Sequence, residues 1–190
     1  MVEGAKERRR AVFLDRDGTI AEETGYLNHI SRFQMFPYSG EAIAQLNAAG
    51  LPVIVITNQS GVARGFYPEA LVQRVHDRME DELRAAGAHV DGIYYCPHIA
   101  ADGCECRKPI PGMLKRAAAE HNLEIEGSMI VSDRYDDIRM GLEAGCKTIL
   151  VLTGYGRGEY EWNGKGWPKP PHHVAENLGE AVEIVLREMK

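Results

Sequence analysis

Four short apolar runs, AVFL, PVIVIT, GIYYC and SMIVS, each end at a residue that carries chemistry: Asp15, Thr57, Cys96 and Asp133. Helical patterns separate them. Continuous apolar strands alternating with helices ask for a parallel sheet buried on both faces. Residues at the carboxyl ends of such strands meet along one edge even when they are far apart in sequence. The expected fold is therefore α/β, a doubly wound, three-layer, Rossmann-like parallel sheet, with residues 1–190 forming one domain.

A helix is predicted over about 40–49, ended by Gly50. A longer one runs over about 68–86, opened by Pro68 and closed by Gly87, with Leu71, Val75, Met79 and Leu83 on one face. Pro111 starts a third, residues 135–144 form a fourth, KTILVLT gives a further strand, and 176–189 form a last helix. The Tyr-, Trp- and Gly-rich stretch over 154–171 reads as an irregular loop packing its own aromatics, with His172 and His173 solvated. A net charge of −6 gives no basic footprint for nucleic acid and no attraction to anionic membranes. The apolar run before Asp15 is too short for a signal segment or a membrane span. A cytoplasmic protein is expected, and a monomer, since no heptad or spare apolar helix face calls for a partner.

In DRDGT two acids two residues apart follow a strand, so both carboxylates can serve one metal and one phosphoryl group. Asp15 can attack phosphorus, while Asp17 can protonate the departing oxygen and later deprotonate water. Alone, such a pair is equally at home as a solvated or capping motif. Thr57 begins TNQSG, whose hydroxyl and turn N–H groups can cradle phosphate. Arg107 and Lys108 precede Pro109; the lysine can neutralise a phosphoryl oxygen and the arginine can grip a second phosphate with its planar fork. Asp133 can complete an oxygen-ligand site for Mg²⁺, and Asp136 or Asp137 can cap the following helix.

Cys96, His98, Cys104 and Cys106 form a C-P-H-x5-C-E-C loop with the donor set of a structural, tetrahedral Zn²⁺. The zinc would stiffen the loop that presents Arg107 and Lys108. Cys146 stands apart and reads as a small buried residue.

These elements, in this order over residues 11–158, resemble the motifs of the haloacid dehalogenase superfamily. The strings TNQSGVARG, YYCPH and CECRKPIPGM narrow the resemblance to its D-glycero-D-manno-heptose 1,7-bisphosphate phosphatases, a branch that includes histidinol phosphate phosphatases. The resemblance implies a capless fold and Mg²⁺-dependent removal of the C7 phosphate through an aspartyl-phosphate. It implies Asp15 as nucleophile and ligand, Asp17 as general acid/base and ligand through its carbonyl, and Asp133 as third ligand. Thr57, Asn58 and Lys108 would hold the phosphoryl group, and Arg107 and Arg134 would contact a small phosphorylated sugar. An acid at Asp17 argues against dehalogenation.

Histidinol phosphate or another small sugar phosphate is the alternative substrate. A sensor module with a long-lived aspartyl-phosphate is a third reading, disfavoured by Asp17, which should hasten hydrolysis. The chain departs from the family's Gly-Asp-Lys with Ser132-Asp133-Arg134, turning a point charge into a fork. Tyr26, Asn28 and His29, in the loop after Asp17, are further candidate substrate contacts.

Overall fold

The computed structural model describes residues 8–189; the segment 1–7, part of the stretch examined for a signal, lies outside them, as does residue 190. Six strands form one sheet: β1 (Arg9–Leu14), β2 (Val53–Asn58), β3 (Gly92–Cys96), β4 (Leu123–Ser132), β5 (Lys147–Val151) and β6 (His173–Ala175). Their order is β3-β2-β1-β4-β5-β6, and every pairing is parallel. Chain order reverses direction at β1, which pairs with β2 on one edge and β4 on the other. A parallel sheet opens a crevice at such a point, beyond the strand carboxyl ends. Asp15 follows β1 directly.

Six helices cover the sheet: α1 (Ser39–Ala48), α2 (Glu69–Ala85), α3 (Gly112–Glu120), α4 (Tyr135–Glu143), α5 (Gly156–Asn163) and α6 (Leu178–Glu188). Alternate strand residues point to opposite faces. Val12, Leu14, Val55 and Val131 pack with Ile43 of α1, Met79 of α2 and Val182 of α6. Phe13, Ile54, Ile56 and Ile130 pack with Leu114 of α3 and Met140 of α4. These two clusters explain why the strands read as unbroken apolar runs. Among the described residues, no helix is long and apolar enough to cross a membrane.

Register defines where the chemistry falls. Leu14 lies beside Val55 and Val131, and the Asp15 N–H donates to the Val131 carbonyl at 3.0 Å. Between Arg10 and Val12 the β1–β4 register shifts, and there Ser128 Oγ accepts from the Ala11 N–H at 2.9 Å. The ladder is interrupted without leaving that donor unpaired. β4 thereby starts five residues before the SMIVSD run that marked it in sequence.

Two expectations need correction. Residues 154–171 are not an irregular loop: α5 and a 3-10 turn over Gly164–Gly166 occupy most of the stretch. Two glycines in GRGEYEWN conceal the helix from propensity, and tertiary contacts supply what propensity lacks. Trp167 stacks on Tyr135, with centroids 4.1 Å apart and planes at 5°, and Tyr135 Oη donates to the Lys169 carbonyl at 2.9 Å. The second correction is β6, which precedes a last helix that begins at Leu178 rather than at 176. His172 is exposed and His173 half-buried, neither joins the metal-type cluster, and each makes a local contact. The first meets the Thr148 N–H and Oγ1 through Nδ1, each at 3.1 Å, and the second meets Glu188 at 2.6 Å.

Phe13 is fully buried on the central strand. Phe13→Ala should cost about 3–5 kcal/mol through lost burial and a cavity, read as a lower denaturation midpoint with an unchanged slope; a loss below about 1 kcal/mol would contradict this packing.

Candidate active site

A cleft of about 290 Å³ opens at the carboxyl ends of β1 and β2, lined among others by Asp15, Asp17, Thr57, Asn58, Arg107, Lys108 and Arg134. Its floor is organised by one buried cation. Lys108 Nζ lies 2.9 Å from Asp15 Oδ1 and 2.6 Å from Asp137 Oδ2, and donates to the Ile56 carbonyl at 2.9 Å. Asn58 fixes the lysine's backbone: its amide nitrogen donates to the Lys108 carbonyl, and its oxygen accepts from the Lys108 N–H, both at 3.1 Å. Ser132 Oγ donates to the same Asp137 oxygen at 2.7 Å.

Burial pushes the Asp15 carboxyl up to about 7; Lys108 pulls it down, and Asp137 adds to the rise. For Lys108 burial works against the charge, but Asp137 and then Asp15 outweigh it and hold the ammonium protonated. Asp133 is fully buried, and its carboxyl is raised by that burial and by the nearby Asp15 charge. The Tyr155 N–H donates to Asp133 Oδ2 at 2.8 Å, while Oδ1 is buried with no partner. A buried carboxylate oxygen without a donor is expensive. Asp15, Asp17 and Asp133 supply hard oxygen donors suited to a divalent cation such as Mg²⁺. The chain crowds closely here: Gly18 (φ +80°) and Gly154 (φ +53°) both sit where an added Cβ would overlap the Asp133 carboxylate.

Asp17 is held by donors on two elements. Arg16, itself buried, grips it through Nε (3.1 Å) and Nη2 (2.7 Å), and Gln59 Nε2 donates to Oδ2 at 2.9 Å. Arg134 lines the cleft with its Nε 2.9 Å from Glu159 and its guanidinium 4.6 Å from the Tyr155 ring centroid. Tyr26 also lines the cleft. Asn28 and His29 do not: Asn28 accepts from Arg32, and His29 caps the 3-10 turn Ile30–Arg32, so both brace their own loop.

The four metal-type donors Cys96, His98, Cys104 and Cys106 converge within 4.8 Å of one another, and no disulfide links them. Arg107 Nη1 donates to the His98 carbonyl at 3.0 Å, joining this cluster to the cleft. Cys146 is buried, as its sequence position suggested.

Asp137, Gln59, Tyr67 and Glu23 also line the cleft, and sequence reasoning did not single them out as site groups. Asp137 was weighed only as a helix cap. A signal was available: it lies four residues after Asp133, one helical turn on.

Residues 105–181 match the family model described as "HAD-hyrolase-like". The D-glycero-beta-D-manno-heptose-1,7-bisphosphate 7-phosphatase of Pasteurella multocida is 38% identical, over 93% of this chain and 97% of its own. That of Pseudomonas putida is 40% identical, over 84% and 90%. The chain belongs to the heptose-1,7-bisphosphate 7-phosphatase family of the haloacid dehalogenase (HAD) superfamily. The family's crystal structure from B. bronchiseptica, complexed with magnesium and phosphate, is 36% identical, covers 94% of this chain and 99% of its own, and superposes with a TM-score of 0.87.

A divalent cation held by Asp15 would have to compete with a proton for its carboxylate. Because burial pushes the Asp15 carboxyl up to about 7 and raises Asp133 as well, Mg²⁺ affinity should strengthen as pH rises through this range, by up to about tenfold per unit for each proton displaced, and level off only once both acids are ionised. Calorimetric titrations between pH 5.5 and 8.5 check this; an affinity flat with pH would show that Asp15 does not hold the metal.

Proposed function

We propose that the chain is a single phosphatase domain, without a separate cap, that removes the C7 phosphate of D-glycero-D-manno-heptose 1,7-bisphosphate. One observation carries the chemistry: the Asp15 carboxylate lies against the buried Lys108 ammonium on the floor of a cleft that also holds Asp17, Thr57 and Arg107. Family membership carries the substrate.

Asp15 and Asp133 would hold Mg²⁺, with Asp17 contributing its carbonyl; the orphaned Asp133 oxygen and the acids' desolvation support this fit. Bound there, Mg²⁺ supplies positive charge to the phosphoryl oxygens. Lys108 adds a second positive charge, and Thr57 donates a hydrogen bond. An Asp15 oxygen attacks phosphorus in line, and the bond from phosphorus to the C7 oxygen breaks. Asp17 delivers its proton to that departing oxygen. Asp17 then takes a proton from water as the water oxygen attacks the aspartyl-phosphate, the Asp15–phosphorus bond breaks, and inorganic phosphate leaves with Asp15 restored. Arg107 and Arg134 face the substrate's remaining groups. Asn58 acts by clamping Lys108, since both ends of its amide are committed to that backbone.

The cysteine cluster would hold a structural Zn²⁺. Zn–S bonds of about 2.3 Å give sulfur–sulfur edges of about 3.7 Å in a tetrahedron; the Cys96–Cys104 and Cys104–Cys106 sulfurs are 3.6 and 3.5 Å apart, near that edge, and the Cys96–Cys106 pair is closer, at 3.0 Å. Elemental analysis should find one zinc per chain, and Cys104→Ser should remove it and lower the thermal midpoint. Retained zinc would sink this assignment.

Phosphate release with Mg²⁺ from the α and β anomers of heptose 1,7-bisphosphate, fructose 1,6-bisphosphate and histidinol phosphate tests the function. Preference for one heptose anomer is expected, with Asp15→Asn lowering turnover on the order of 10⁴-fold or more. Faster turnover of histidinol phosphate than of either anomer would reassign the substrate.

A further inference from the structure

The side chain of Gln59 joins two parts of the site that the reaction needs in register. Its Nε2 donates both to Asp17 Oδ2 and to Thr57 Oγ1, each at 2.9 Å. An amide can rotate or flip end for end, and either movement would break both contacts. Tyr67 prevents this by donating its hydroxyl proton to Gln59 Oε1 at 3.1 Å, which leaves the nitrogen end directed at Asp17 and Thr57. Gln59 and Tyr67 are both buried, so water does not compete freely for these contacts. Packing fixes the tyrosine in turn: a Cβ added at Gly61 would overlap the Tyr67 ring. The string TNQSGVARGFY thus encodes a hydroxyl, an amide, a gap and a ring that fills it.

We propose that Gln59 and Tyr67 are positioning residues that set the acid/base and the phosphate-binding hydroxyl together. Gln59, with Arg16 gripping both carboxylate oxygens, fixes the orientation of Asp17. By occupying a lone pair on Thr57 Oγ1, the same amide leaves that hydroxyl's proton free to be donated into the cleft. Tyr67, whose hydroxyl also meets the Gly61 backbone N–H, acts on Asp17 and Thr57 through Gln59. The inference rests on Asp17 being the proton donor, as proposed above.

Leaving groups separate this role from general damage. A sugar alkoxide needs a proton as it departs, whereas p-nitrophenolate does not, and kcat/KM reports the phosphoryl-transfer half of the reaction in which that proton moves. The quantity to follow is the ratio of kcat/KM for a sugar phosphate that the wild-type chain turns over, heptose 1,7-bisphosphate first, to that for p-nitrophenyl phosphate. Asp17→Asn should lower this ratio by about 10²-fold or more. Gln59→Met, close in size, should lower it by about tenfold, and Tyr67→Phe by about threefold. Adding Tyr67→Phe to Gln59→Met should change nothing further, because the tyrosine has lost the group it acts through. An unchanged ratio in Gln59→Met and Tyr67→Phe, with Asp17→Asn still lowering it, would overturn the positioning role and leave the phosphatase reading intact. A ratio unmoved by Asp17→Asn would overturn both the acid assignment and the inference.

Discussion

The buried ammonium of Lys108, held between Asp15 and Asp137, is the interaction on which the site depends. A charge almost wholly removed from water survives only when partners surround it. Here the partners come from strand ends and a helix start distant in sequence: Asp15 after β1, the Ile56 carbonyl of β2, and Asp137 in α4. Removing any one leaves the others under-satisfied. The cation therefore holds the strand ends in a fixed relation and places a positive charge on the floor of the cleft.

The sheet makes that arrangement possible. Reversal of strand order at β1 opens the crevice where Asp15 emerges, and parallel register aligns the neighbouring strand ends beside it. Burial then has two effects on the same residues. It destabilises the charges of Asp15 and Asp133, which makes a cation welcome, and it strengthens every electrostatic contact inside the cleft. The cysteine loop adds a brace from outside the sheet, since Arg107 reaches back to the His98 carbonyl while Lys108 enters the core of the site. One short segment thus spans a candidate metal cluster and the catalytic cleft.

The strand–helix alternation, the strand-end acids and the cysteine cluster were legible because each follows from local pattern. Apolar runs buried on two faces announce themselves, Asp15, Thr57, Cys96 and Asp133 stand where such runs stop, and Asp17 and the Arg107–Lys108 pair follow in the adjoining loops. What escaped depends on tertiary context. α5 has too little intrinsic propensity to be seen, and depends on contacts such as the pairing of Glu159 with Arg134 and the Tyr135 N–H. β6 has only three residues and gains its meaning from pairing with β5. Asp137 reads as an ordinary capping acid until Lys108 is found 2.6 Å away. Gln59 and Tyr67 look like loop filler, because what sets them apart lies in contacts with each other, with Thr57 on β2 and with Asp17 beyond the neighbouring β1. Conversely, Asn28 and His29 looked available in a polar loop, but local hydrogen bonds had already claimed them.

The central claim is that Asp15, poised by Lys108, accepts the phosphoryl group before water does. The stereochemical course at phosphorus tests it most directly. With a phosphorothioate analogue whose transferred group is made chiral by sulfur and two oxygen isotopes, and turnover in water of the third isotope, two in-line displacements give net retention. Retention is the predicted result. Inversion would mean that water attacks the substrate in a single step, and would contradict the account.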